Sequence, residues 1–179
     1  VLYPDNLALL TTIINTLGEH KTDDTALQKY VTQAMRFKPN DEGLINIQAQ
    51  LYERTAQYAQ AAATYTRLRQ LKPQSLEVAR HLALNYYNAG VVYAKQASTE
   101  SGKEARQAKQ VASDYFTQAA NVLSEVLHND PLAINYAYAL ANAYAYVGDT
   151  ERLQAITAKI QALGYSSTTI GGSDMQLMD

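Results

Sequence analysis

Apolar residues in this chain return every three or four positions, with polar residues between them. In 42–55 the pattern is Ile45, Ala49, Tyr52; in 58–71 it is Tyr58, Ala61, Tyr65, Leu68. That spacing puts each set on one side of a helix and predicts two amphipathic helices joined by a short turn. A small residue followed three later by tyrosine then recurs: Ala49–Tyr52, Ala83–Tyr86 and Ala141–Tyr144, at intervals of 34 and 58 residues. Ile14 and Leu17 stand in the same register 35 residues before the first of these. Alternating β-branched runs of useful length are lacking, so no strand is predicted. The expected fold class is all-α.

A second marker keeps the same intervals. Pro4, Pro39, Pro73 and Pro131 are the only prolines and follow one another at 35, 34 and 58 residues. Proline cannot continue a helix and biases the preceding residue away from helical geometry, so it suits the exit of a helix pair. Two markers with shared intervals predict an internal repeat. The units run 7–40, 41–74, 75–132 and 133–164, with a tail at 165–179. Leu2-Tyr3-Pro4-Asp5-Asn6 has the phrasing of a repeat's closing positions, so 1–6 is expected to be the remnant of a preceding repeat in a longer array.

Residues 42–75 resemble the tetratricopeptide repeat (TPR) family through Ile45, Ala49, Tyr52, Tyr58, Ala61, Tyr65, Leu68 and Pro73. The last unit matches at Leu140, Ala141, Tyr144, Gly148-Asp149, Leu153, Ile160 and Leu163, but has Thr157 where the family prefers an aromatic residue and lacks a closing proline. The first unit is degenerate, with Leu10, Ile13, Ile14, Leu17 and Ala34. The resemblance covers residues 1–164. It implies a right-handed superhelix of antiparallel helix pairs, a TPR-like α-solenoid of about eight helices.

The unit at 75–132 is 24 residues longer than its neighbours. Ala105, Ala108, Ala112, Tyr115, Ala119, Val122 and Val126 form a three-four seam answered by Leu82, Tyr86, Ala89, Tyr93 and Ala97. This predicts an extended helical hairpin, 76–98 and 103–128, with tyrosines facing alanines and the tip two to three turns past the stack. Gly90 is the weak point, since glycine inside a helix costs about 1 kcal/mol relative to alanine. Similar hairpins occur in some bacterial envelope TPR proteins, a resemblance that points to the periplasm or cell envelope rather than the cytoplasm.

Charge and composition narrow the chemistry. The chain has 179 residues, is 47% hydrophobic and 18% charged, and has a formal net charge of −2, so no global basic field attracts nucleic acid. The basic residues Lys95, Lys103, Arg106 and Lys109 are interrupted by Glu100 and Glu104. There is no cysteine, which removes disulfides, thiolate metal sites and a cysteine nucleophile. No apolar run reaches the roughly 20 residues of a membrane span. His20, His81 and His128 lie in no metal-ligand spacing, and no catalytic or phosphate-binding motif is present. The expectation is a non-enzyme without metal or cofactor.

What the residues and the resemblance leave is surface. In TPR arrays the first helix of each repeat lines a concave groove for an extended peptide or partner helix. The corresponding positions here are Thr11, Asn15, Asn46, Gln50, Arg80, Leu84, Tyr87, Tyr138, Asn142 and Tyr146. Asn and Gln offer donors and acceptors to a peptide backbone. The chaperone-tail subclass would need basic and amide clamps at Thr11, Asn15, Ile47, Glu77 and His81, and only Asn15 fits. Leu84, Tyr87, Val91 and Ala94 form another apolar stripe, whose upper pair, Val91 and Ala94, is expected to stand exposed as a hairpin interface. A protein or peptide partner is therefore expected, with self-assembly through the hairpin as the alternative. In the tail, Ile170, Met175, Leu177 and Met178 are expected to cover the open end of the last repeat or to dock on a second copy.

Overall fold

Two of the proline phrases end one helix pair and begin the next. Pro39-Asn40-Asp41 and Pro73-Gln74-Ser75 each close with a side chain that caps the following helix: Asp41 accepts from the Leu44 amide at 3.1 Å and Ser75 from the Val78 amide at 3.3 Å. The computed structural model describes residues 7–20, 23–167, 170 and 176–178, without the side chains of Glu19 and His20. Segment 1–6 lies outside the described residues. The helices are α1 (Leu7–His20), α2 (Asp24–Phe37), α3 (Glu42–Arg54), α4 (Tyr58–Leu71), α5 (Leu76–Thr99), α6 (Gly102–Asn129), α7 (Ile134–Val147) and α8 (Thr150–Ala162). No strand occurs among the described residues. The starts of α1, α3, α5 and α7 are 35, 34 and 58 residues apart, the intervals of the prolines.

The chain divides into two compact units, 1–73 and 74–179. In the first, α1 packs on α2, α2 on α3 and α3 on α4. Its interior includes Leu10, Ile14, Leu27, Val31, Ala34 and Leu51. The α3–α4 pair buries Ile45 and Ala49 with Ala61, Ala62, Tyr65 and Leu68. Buried Tyr65 keeps its hydroxyl satisfied by donating to the Glu53 carboxylate at 2.9 Å. Arg67 donates to the Pro39 carbonyl and to Asn40, tying α4 to the turn before α3.

In the second unit α5 packs on α6, α6 on α7 and α7 on α8. Helix α5 runs unbroken through Gly90, and the reason for the glycine is spatial. A Cβ there would lie 3.0 Å from the Phe116 ring of α6. Phe116 is fully buried between aromatic neighbours, with Tyr87 edge-on at 5.5 Å and Tyr146 tilted at 4.6 Å. The missing methyl group lets α6 seat a large ring directly on the α5 backbone.

The seam of this hairpin differs from expectation in one respect. Tyr115 does not face alanines; it lies between Tyr93, stacked at 5.6 Å, and Tyr86 at 6.2 Å. Ring-on-ring contact extends the seam toward the tip. Beyond Ala94 on α5 the side chains are half-buried or exposed, and Ala108 of α6 is the next fully buried residue.

Candidate peptide-binding surface

Within the first unit, Asn15 and Gln50 line a cleft of about 290 Å³ together with Ile14, Gly18, Leu27, Ile47, Leu51 and Arg54. Arg54 pairs with Asp24 across it. Asn46 is half-buried and does not line this cleft, and Thr11 turns its hydroxyl back to the Leu7 carbonyl of its own helix.

The second unit places the remaining positions in a more ordered setting. Arg80 pairs with Asp130, at the end of α6, at 2.7 Å. Leu84 and Tyr87 are buried and belong to the core, so they do not line an open groove. Asn142 of α7 donates to the Tyr87 hydroxyl at 3.3 Å, and burial pushes that phenol above its ordinary value. Tyr146 packs on Phe116. Tyr138 donates to the Ser166 carbonyl, where the chain has just left α8.

The expected exposed strip on α5 is corrected by the structure. Val91 is 1% exposed and Ala94 half-buried, both packed in the core cluster of this unit; the open apolar residue on that stretch is Val92, at 44%. The tail is part of the reason. Ile170 and Met178 pack against the same cluster, and Met178 is held by α5 one helical turn from Val91. The tail therefore reaches α5 as well as the last repeat. Leu177 stays 42% exposed, and Met175 lies outside the described residues.

The decisive contact is made by Asn88, which is 4% exposed. Its side-chain amide donates to the Met178 carbonyl at 2.8 Å, and its side-chain carbonyl accepts from the Met178 amide at 2.8 Å. One carboxamide thus engages both main-chain groups of one residue, as a neighbouring strand would. Leaving a buried carboxamide without partners costs about 1–3 kcal/mol, so this position demands a peptide backbone or water. Asn88 was not among the expected groove residues. Its signal was present in the spacing: Arg80, Leu84 and Asn88 follow one another at four-residue steps along one side of α5.

Among the described residues, no group of three or more His, Asp or Glu side chains could hold a metal ion. Likewise, none of the described helices is long and apolar enough to cross a membrane.

Helix pairs recur at 34 and 35 residues, each with a small residue meeting an aromatic one. The repeat unit is TPR-like. No family model matches the chain, and no curated protein matches it. Solved structures similar to it include a tetratricopeptide repeat protein from Parabacteroides merdae, 18% identical over 90% of this chain, with a TM-score of 0.41; the chain spans 66% of that structure. MamA from Desulfovibrio magneticus RS-1 is 15% identical over 92% of this chain and 98% of its own, with a TM-score of 0.41. A further MamA structure is 12% identical over 92% of this chain and 97% of its own, with a TM-score of 0.43. The TPR-like description rests on the chain's own period and helix pairing.

Proposed function

We propose that this protein is a non-catalytic protein-interaction scaffold that takes an extended peptide segment on the α5–α7 face of its second unit. The observation that carries this reading is the two-way bond of the Asn88 carboxamide to a peptide main chain. Tyr138, which also bonds a main-chain carbonyl, adds a second polar contact of the same kind. A surface that bonds main chain through fixed side chains, beside buried apolar residues, suits recognition of an extended partner. In the first unit, Asn15 and Gln50 at the 290 Å³ cleft offer a second amide-bearing surface of this kind.

Selection of displayed unstructured peptides on the full chain tests the reading. Binders are expected whose affinity falls at least ten-fold with Asn88→Ala. Binders indifferent to Asn88 and Tyr138, or none at all, overturn it. The alternative, self-assembly through the long hairpin, predicts a solution mass that rises with concentration; a constant monomer mass disfavours it.

A further inference from the structure

The peptide that Asn88 holds belongs to the protein itself. The geometry points to a binding site with a resident occupant, residues 176–178 of the tail, which a partner must displace. That partner is an extended segment presenting a long, unbranched apolar side chain where Met178 lies. The inference rests on the scaffold reading above and adds how the site is kept and who can take it.

Three features of the contact suit exchange. The Asn88 carboxamide bonds main-chain atoms alone, so any extended residue supplies the same donor and acceptor. Of the three described residues there, only Met178 is drawn into the core, while Gln176 and Leu177 remain exposed. The anchor is therefore a single flexible thioether side chain, a type that adapts to irregular apolar surfaces. The third feature is a separate attachment upstream. Tyr138 bonds the Ser166 carbonyl, and Gln161 donates to the Ser167 hydroxyl at 2.8 Å. Release at Met178 does not require release at Ser166.

The connection between the two attachments includes Gly171-Gly172-Ser173-Asp174, which has no apolar side chain to bury. A tether of about ten residues gives its end an effective concentration in the millimolar range. An incoming peptide with the same contacts is thus outcompeted, and one with additional contacts is selected. The tail sets a threshold for partner binding.

The test uses the full chain and a synthetic fluorescent peptide of residues 165–179. Met178→Pro removes the amide hydrogen that Asn88 accepts and lies outside every helix, so the fold is retained. In the unaltered protein the Met178 amide is expected to exchange with solvent at least 100-fold more slowly than in the free peptide. The fluorescent peptide is expected to bind Met178→Pro protein at least ten-fold more tightly than unaltered protein. A version of the peptide N-methylated at Met178 should lose that binding. Free-peptide exchange rates at Met178 in the intact protein overturn the resident-tail inference, while selected peptides that depend on Asn88 would still uphold the scaffold. Equal binding to both proteins, or binding to neither, overturns displacement. Protection that grows with protein concentration alongside dimer mass assigns the tail to a second copy and overturns occupancy within one chain.

Discussion

The α3–α4 and α5–α6 hairpins obey the same repeat rule and are held together differently. The short pair has helices of 13 and 14 residues, the long pair 24 and 28. In the short pair, alanines bring the helices close and the one large buried ring, Tyr65, keeps a polar partner in Glu53. The long pair uses a glycine in place of alanine so that Phe116 can sit on backbone, and extends its seam with Tyr86, Tyr115 and Tyr93. Lengthening a hairpin removes the cover that neighbouring repeats provide. Aromatic contacts within the pair and the returning tail supply part of what is lost.

That contrast is tested most severely at Phe116. Phe116→Ala should destabilise the protein by about 3–5 kcal/mol in urea unfolding, as expected for emptying a fully buried aromatic site. A loss under about 1 kcal/mol would show that the long hairpin does not depend on this ring.

A paired glycine experiment comes next in size. Gly90→Ala adds a methyl 3.0 Å from Phe116, and overpacking of this kind costs about 1–3 kcal/mol, more than the helix propensity it gains. Gly18→Ala in α1 meets nothing within 4 Å and should stabilise by about 0.5 kcal/mol. Thermal unfolding of both variants should therefore move in opposite directions. Movement in the same direction would remove the spatial explanation for Gly90.

Tyr65→Phe keeps the ring and deletes the bond to Glu53, and should cost about 1 kcal/mol by urea titration. An unchanged midpoint would mean that the short hairpin needs only the ring.

The smallest effect is absent at neutral pH. Burial raises the Tyr87, Tyr115 and Tyr146 phenols above their ordinary value of 10.0. The neutral form is favoured in the folded state, so this stabilisation is complete below pH 10 and is lost as pH rises through the raised values. Melting temperature followed across that range by phenolate absorbance should fall together with the onset of tyrosine ionisation. Ionisation at the free-phenol value without loss of structure would contradict burial of these rings.

Much of the fold could be read before any coordinates because its markers are local. Proline, capping residues and three-four spacing act within a few residues, and they placed the helix starts at intervals of 35, 34 and 58. The unbroken α5 was legible because Ala83–Tyr86 and Ala89–Gly90–Tyr93 keep one face only if the helix continues. The surface was less legible. Leu84 and Tyr87 have the spacing of groove residues, yet both are buried, since spacing gives the side of a helix and not what lies against it. Val91 was misread for the same reason.

The sequence by itself determined the repeating helical hairpins, through interactions that span a few residues at most. Only the tertiary structure decided that Phe116 rests on Gly90, that Tyr115 stacks on Tyr93, and that Met178 returns to Asn88 across 90 positions. Contacts between distant segments depend on which surfaces remain uncovered once the helices have packed. No local pattern along the chain encodes that.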